Sequence, residues 1–336
     1  MNLSSLQNNT SHINSREGFQ SSVDLNSELL AKKFRKTIRS YVYFHIFFLS
    51  IITIEITFFF LFLTFLFNMS LVALSISLVL LTIFAYLICI FHFQTKKPTQ
   101  FMDLRTHFIY RCKEKLPKNL VSSEYHLSMA NAAYKMASNI SKNFQNYMLP
   151  VHRNDSMNKL ISSITNLYHR KDIIKMKEGL FLFSIREHIN LIKQVPTNLE
   201  AHASLANAYI ALSKVYKGEA GAEKSYISTV NKAIQEYKIL DHLAPNDPWV
   251  HAQLASCNHD IKNYNEEINQ YEKVLKLCPE DKQVIFRLGI LCFQQGKTAR
   301  GLELYEMLKK GNFSRAEELI EFYDTNIEQE YIVSDL

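Results

Sequence analysis

The side chains able to do chemistry are dispersed along this chain and form no recognised catalytic constellation. The sequence contains no GxSxG, HExxH or GxxxxGK[ST] motif, and its 12 histidines are spread widely. His251 and His259 lie eight residues apart and can share a helix face, but no cysteine or acidic cluster completes a metal site there. The sequence therefore predicts a protein that is not an enzyme, with neither a metal nor a cofactor.

Glycine and cysteine usage exclude further classes of site. Only 8 of the 336 residues are glycine, and none lies between Gly18 and Gly179, which excludes glycine-rich phosphate loops over most of the chain. The 5 cysteines are scattered and never spaced as CxxC, which argues against a disulfide framework and fits a reducing compartment. Few glycines and prolines and a single tryptophan also argue against a turn-rich β fold.

Two apolar segments predict a membrane-spanning helical hairpin. Residues 41–67 and 71–93 form two runs without proline, glycine, lysine or arginine. About 20 apolar residues cross a bilayer as a helix, and both runs exceed that length. Only Asn68, Met69 and Ser70 separate the two segments. A buried hairpin in a soluble domain is the alternative, but a small domain has too little protein to cover such helices on all sides.

One ionisable residue lies inside these segments and carries a functional hypothesis of its own. Glu55 is the only acidic residue of the first segment, and its depth matches that of Thr82 on the second. A carboxyl group within a membrane is a candidate functional site. Three roles are open for Glu55. It is a neutral acid hydrogen-bonded to Thr82 within one hairpin, or it joins hairpins into homo-oligomers, or it is part of a proton or ion path.

Flanking charge predicts the orientation of the hairpin. Basic residues precede the first segment and follow the second, whereas the turn carries no charge. Lysine and arginine concentrate on the cytoplasmic side of membrane helices. We therefore expect an integral membrane protein with two spans and both termini in the cytoplasm. The flanking residues are Lys32, Lys33, Arg35, Lys36, Arg39, Lys96, Lys97 and Arg105.

Composition divides the remainder of the chain into three parts around the hairpin at 41–94. Residues 1–40 are rich in serine and asparagine and are predicted to be disordered to about Leu25, with a short basic helix beyond it. Residues 95–195 carry 17 basic and 7 acidic side chains, whereas residues 196–336 carry 15 basic and 21 acidic ones. The basic part either lies against anionic lipid headgroups or is a solvated helical surface. No DNA or RNA motif is present, which disfavours nucleic-acid binding.

The C-terminal part repeats with a fixed period. Tyr237, Tyr271 and Tyr305 recur at a constant spacing of 34, and Leu254 and Leu288 have the same spacing. A third leucine, Leu205, precedes Leu254 by one period plus an insertion of fifteen. Large and small residues in fixed phase indicate stacked helix–turn–helix units. The leucines and the small residues that follow them are Leu205-Ala206, Leu254-Ala255 and Leu288-Gly289.

This part resembles the tetratricopeptide repeat (TPR) family. The clearest unit is PWVHAQLASCNHDIKNYNEEINQYEKVLKLCPEDK from Pro248 to Lys282, and the next unit runs to about Phe313. An earlier unit begins near Leu199 and is interrupted by an insertion around 214–226. Glu267 departs from the family pattern, which has a small residue there. The resemblance implies a TPR-like solenoid with a C-terminal capping helix. With the transmembrane hairpin and the basic helical region that precede it, the whole chain is predicted to be all-α.

The resemblance also implies a surface for a protein or peptide partner, formed by the first helix of each unit. The chain then acts as a membrane-anchored scaffold that recruits this partner to a cytoplasmic membrane face. Trp249 and Phe293 are the best candidate anchors, because aromatic side chains dominate binding energy once desolvated; the alternative for each candidate is a place in the solenoid core. The implied partner-binding residues are Asn207, Ile210, Trp249, Ser256, His259, Phe286, Ile290, Phe293 and Gln294.

The order of the segments supports a second interpretation. A polar leader over 1–40, a paired apolar domain with a short turn and a helical tail resemble the inclusion membrane proteins of obligate intracellular bacteria. This resemblance is architectural. It implies export through a type III system into a host vacuole membrane, where the solenoid binds a host protein. An oligomeric proton or ion path around Glu55 is the third interpretation.

Overall fold

The chain folds into helices in two compact units. The computed structural model describes residues 3–66, 69–117, 120–142 and 155–334, and every regular element in these ranges is helical. The predicted all-α class is therefore confirmed. The units comprise Met1–Glu187 and His188–Leu336. The finer boundaries drawn from composition, at residues 40, 94 and 195, stay predictions.

The first unit is built on a long helical hairpin. Helix α1 spans Leu3–Leu61, a π-helical turn follows over Phe62–Leu66, and α2 spans Met69–Lys115. Aromatic rings hold the two helices together, for example Phe44 and Phe93, whose ring centroids lie 4.7 Å apart. The helical hairpin predicted from the two apolar segments is confirmed, and both of its helices extend well beyond those segments.

The residues before the hairpin differ from the prediction. Instead of a disordered tail to about Leu25 and a short helix beyond it, α1 is continuous from Leu3. Buried side chains recur along it at three- and four-residue spacing, a period that the abundance of serine and asparagine obscured. This stripe packs on the hairpin and extends the helix, since propagation of a helix is far easier than nucleation. The buried apolar residues are Phe19, Val23, Leu30, Phe34 and Ile38.

Two further helices complete the first part of the chain. Helix α3 (Ser122–Lys142) packs on α1 and α2, and α4 (Asp155–Gln194) packs on α3. The Ser184 hydroxyl of α4 donates to the carbonyl of Ala130 over 2.8 Å. Small side chains on α3 allow this close approach. They are Ala130, Ala132, Ala133 and Ala137, all buried.

The second unit consists of helix pairs in repeating register. Its first helices begin one period apart at Pro248, Lys282 and Ala316, and its second helices begin one period apart at Tyr264 and Thr298. Three-residue turns make the two helices of a pair antiparallel. The predicted helix–turn–helix repeat is confirmed. The helices are α5 (Leu199–Tyr216), α6 (Glu223–Leu243), α7 (Pro248–Asp260), α8 (Tyr264–Leu277), α9 (Lys282–Gln294), α10 (Thr298–Lys310) and α11 (Ala316–Ser334).

The insertion in the first pair lengthens both of its helices. Helix α5 has 18 residues where α7 has 13, and α6 has 21 where α8 has 14. The loop 217–222 replaces a three-residue turn and accounts for the rest of the insertion. Gly218 and Gly221 have φ angles of +80° and +77° there, which glycine adopts without strain.

The repeated leucines form the interior of the second unit. Leu205, Leu254 and Leu288 are 2%, 1% and 0% exposed. The small residue after each leucine permits close packing, most clearly Gly289, where a Cβ atom would lie 2.6 Å from the Leu319 side chain of α11. Helix α11 buries Leu319 against α9, and its exposed face is acidic. It carries Glu317, Glu318 and Glu321.

Candidate functional site

The first helices of the repeat present equivalent residues at the surface. Asn207 on α5 and Ser256 on α7 occupy the same position of the repeat, and both are exposed. Asp247 fixes the start of α7, because its carboxylate accepts a hydrogen bond from the Trp249 backbone N–H over 2.9 Å and Pro248 occupies the first helical position. This capping fixes the first turn of α7, and with it the position of Trp249 on the helix.

The structure divides the predicted partner-binding residues into those at the surface and those in the core. The surface group consists of the exposed Asn207, Trp249, Ser256, His259 and Gln294 and the half-buried Ile210 and Ile290. These residues stay candidates for partner contact. Phe286 and Phe293 are each only 7% exposed and belong to the core. The choice of Phe293 as an anchor therefore does not agree with the structure.

Helix α11 and the turn before it are the reason for this difference. The Phe293 ring lies 4.6 Å from the Tyr323 ring of α11, and the Phe286 ring lies 5.9 Å from that of Phe313. The Arg315 guanidinium covers Phe286 at 4.4 Å. Phe286 and Phe293 of the third pair are thus covered by α11 and the turn before it. In the preceding pair, His259 occupies the position equivalent to Phe293 and is exposed.

Trp249 and Asn207 are joined through one buried side chain. The Tyr237 hydroxyl donates to Asn207 Oδ1 over 2.9 Å, and the Trp249 ring packs edge-on against the Tyr237 ring at 5.9 Å. Tyr237 is 0% exposed, while Trp249 is 42% exposed. The indole is therefore held against a buried ring while part of its own surface stays exposed.

Glu267, the departure from the family pattern, is the centre of a charged cluster. Its side chain is 0% exposed, its Oε2 lies 2.9 Å from His259 Nδ1, and its Oε1 lies 3.5 Å from the Arg287 guanidinium. Arg287 also reaches His259 Nδ1 at 3.2 Å. The cluster links α7, α8 and α9, and Arg287 brings a positive charge to its partly exposed side.

Sequence reasoning missed a repeated histidine. His202 contacts the Pro196 carbonyl at 2.9 Å and Glu236 at 2.7 Å. His251 makes the equivalent contacts, to the Pro245 carbonyl at 3.3 Å and to Gln270 at 2.9 Å. The available signal was that each histidine lies six residues after a proline of the repeat. Both are buried, so their role is to tie the helix pair to the preceding loop.

The intramembrane candidates are brought together. The Thr82 hydroxyl lies 2.7 Å from Glu55 Oε1 and 3.0 Å from the Leu78 carbonyl. Glu55 Oε2 is shielded from solvent and has no hydrogen-bond partner in the described part of the chain. The Thr82 hydroxyl thus has two acceptors within reach, the Glu55 carboxyl oxygen on the other helix and the Leu78 carbonyl on its own.

Among the residues that the structure describes, no three histidine, cysteine, aspartate or glutamate side chains are grouped to hold a metal ion. Charge pairs instead connect neighbouring helices. Lys217, after α5, bonds Asp260, at the end of α7, over 3.1 Å. This hydrogen bond raises the pKa of the Lys217 ammonium group, and the adjacent carboxylate charge adds to the effect.

Comparisons with known proteins give structural likenesses only. No family model matches the chain, and no curated protein matches it significantly. The crystal structure of MamA is 20% identical, with a TM-score of 0.33, and the match covers 49% of this chain and 96% of MamA. A thermophilic TPR protein of Thermus thermophilus is 18% identical, with a TM-score of 0.32 over 60% of this chain and 93% of its own.

The TPR2AB domain of yeast Sti1, in a pHSP90 complex, is 17% identical with a TM-score of 0.25. That match covers 69% of this chain and 93% of the Sti1 domain. With TM-scores this low, the function proposed for the chain rests on its own residues.

Proposed function

We propose that the chain is a non-catalytic, membrane-anchored helical-repeat scaffold that recruits a protein or peptide partner. The observation that carries this proposal is the exposed face of α5 and α7, defined by Asn207, Trp249, Ser256 and His259. These four side chains are exposed, and buried residues support three of them: Tyr237 contacts Asn207 and Trp249, and Glu267 contacts His259. Rigid exposed aromatic and polar groups are suited to protein recognition.

The surface of the hairpin supports membrane anchoring. Two helical stretches, Ser21–Thr64 and Ser70–Lys115, are long and apolar enough to span a bilayer, and 0% and 6% of their most apolar windows are buried. They are therefore unlike the core helix of a soluble protein. Exposed apolar surface of this extent favours a lipid environment. Examples are Phe58, Phe60, Leu80, Leu81, Phe84, Leu87 and Phe91, each more than half exposed.

Site-specific photo-crosslinking on the full chain in its native membrane tests the recruitment face. We would place a photoreactive phenylalanine at Asn207 or Ser256, and at Gln235 or Asn269 as controls. The controls are exposed and occupy one repeat-equivalent position on the second helices α6 and α8. We expect one common adduct from both face positions and none from the controls. Adducts from all four positions, or different adducts from Asn207 and Ser256, would contradict the proposal.

Truncation of the indole provides the matching energetic test. Trp249→Ala should lower the yield of the common adduct by about tenfold or more, because removal of a desolvated aromatic anchor has a large effect on binding. Ile239→Ala is the control, since Ile239 lies on α6 and is 40% exposed, close to the 42% of Trp249. Equal yields from the two variants would show that Trp249 is not an anchor.

A further inference from the structure

A cavity of about 710 Å³ lies between α1 and α2 where the two apolar segments end. Its lining changes along the helices. Phe44 and Phe93 form an aromatic wall at one end, and hydroxyl, amide and charged side chains of the next helical turns line the remainder, among them Lys36 and Gln100. This is the order of a bilayer leaflet, from hydrocarbon to headgroup.

The depth of the basic side chains fits the headgroup layer. Tyr41 begins the first apolar segment, and Lys36 and Lys33 precede it by five and eight residues. A helix rises 1.5 Å per residue, so the two lysines lie about 7 and 12 Å beyond the hydrocarbon edge. The headgroup layer of one leaflet is roughly 5 to 8 Å thick. A lipid phosphate at that depth is within reach of both long side chains.

The charges around the cavity are available to a ligand. The side chains of Lys33, Lys36 and Asp103 make no ion pair or hydrogen bond with other residues of the described ranges. Apart from His107, the two lysines and the aspartate give the lining a net charge of +1. A ligand with one net negative charge matches this lining, whereas a polyphosphorylated headgroup would bring several uncompensated charges.

The wall of the cavity is fixed before any ligand enters. The Tyr41 hydroxyl donates to Gln100 Oε1 over 2.8 Å, and the Tyr41 and Phe93 rings pack edge-on at 5.3 Å. The Lys97 ammonium lies over the Tyr41 ring at 4.8 Å from its centroid. Since Gln100 Oε1 accepts from Tyr41, its amide N–H groups remain to donate to an anion. Binding to such a preformed wall has a small ordering cost.

We propose that this cavity binds one phospholipid of net charge −1, with its phosphate at Lys33 and Lys36 and an acyl chain along Phe44 and Phe93. Headgroup hydroxyls, as in phosphatidylglycerol, donate to Asp103. The inference rests on the proposed membrane anchoring. The aromatic end of the cavity requires an acyl chain, which distinguishes a lipid from a free phosphate compound.

Binding of short-chain lipids to the full chain in neutral detergent micelles tests the site. The probes are dioctanoyl phosphatidylglycerol, dioctanoyl phosphatidylcholine and glycerophosphoglycerol, which has the headgroup but no acyl chains. We expect saturable binding of the first probe only. The proposal would be overturned if phosphatidylcholine bound as tightly as phosphatidylglycerol. It would also be overturned if glycerophosphoglycerol bound as tightly as phosphatidylglycerol.

Paired variants separate a built site from general attraction to basic helices. Lys33→Gln with Lys36→Gln should weaken phosphatidylglycerol binding by about 10- to 30-fold, as expected for loss of two headgroup contacts. Lys32→Gln with Lys96→Gln removes the same charge from exposed residues at the same membrane boundary that do not line the cavity, and it should change binding less than about twofold. An equal loss of phosphatidylglycerol affinity in both double variants would show only general attraction to basic helices and would contradict the proposal.

A third variant examines the cavity itself. Ser40→Trp fills the cavity and keeps every charge, so it should abolish binding while the helical circular dichroism of the chain stays unchanged. Retained binding in Ser40→Trp would place the lipid elsewhere and overturn the proposal. Membrane insertion is measured separately by resistance to alkaline extraction, so failure of the anchor and failure of the lipid site give different results.

Discussion

At the residue scale, the buried side chain of Glu267 connects three helices of the repeat through its contacts with His259 and Arg287. A buried charge is tolerated only with partners, and Glu267 has His259 from α7 and Arg287 from α9. The family pattern has a small residue in this position, so the carboxylate replaces close packing with an ionic connection between three helices. The sequence revealed the departure but not its partners, because Arg287 belongs to the next repeat unit.

Removal of one partner should therefore cost more than removal of both. We expect Arg287→Ala to lower the local stability of α8 by about 1 to 3 kcal/mol, since the carboxylate then faces only His259. Adding Glu267→Ala should recover part of that loss. Amide hydrogen exchange of α8 measures both effects. Arg300→Ala is the control, because Arg300 pairs with the partly exposed Glu272, and it should cost less than about 1 kcal/mol. Additive losses in the double variant would disprove the coupling.

At the element scale, α11 acts as a further first helix of the repeat. It begins one repeat period after α9 and packs on it, but no second helix follows in the described residues. Its exposed face is acidic, a composition that suits the polar end of a helical stack. The contact depends on Gly289, which leaves room for Leu319.

A side chain at Gly289 should detach α11 while α9 remains helical. Gly289→Val places a branched Cβ in space that Leu319 already occupies, and overpacking of this kind costs about 1 to 3 kcal/mol. We expect faster amide exchange over residues 316–325 and little change in α5 and α6. Gln283→Val is the control, because Gln283 is exposed on the same helix. Similar exchange in both variants would show that Gly289 does not govern the docking.

The helix pairs of the repeat could be predicted from the sequence, whereas the burial of their surface residues by α11 could not. Regular leucine and tyrosine phases predict the helix pairs, because stacking requires the same large and small residues in each unit. The burial of Phe286 and Phe293 was not predictable in this way, since it depends on Phe313, Tyr323 and the exact docking of α11. The helical start of α1 was hidden for a related reason: its buried stripe is sparse among polar residues.

At the scale of the whole molecule, the proposed membrane anchoring depends on the hairpin. Glu55 and Thr82 meet at one depth, as the spacing from the turn predicts, and the Thr82 hydroxyl donates to Glu55 Oε1 over 2.7 Å. A bond within one hairpin needs no second copy and no ion path. Basic residues flank the two apolar segments at the far ends of the hairpin, and this distribution predicts that both ends lie on the same side of a bilayer.

Protease protection in sealed vesicles tests this topology. Tags at the N and C termini should be digested together when protease is added on the cytoplasmic side, because two spans return the chain to the face it left. Both should be protected when protease has access only to the opposite face, and both should be lost once detergent opens the vesicles. Protection of one tag with digestion of the other would mean an odd number of crossings. The two ends of the hairpin, whose side chains together line the lipid cavity, would then lie on opposite faces of the bilayer.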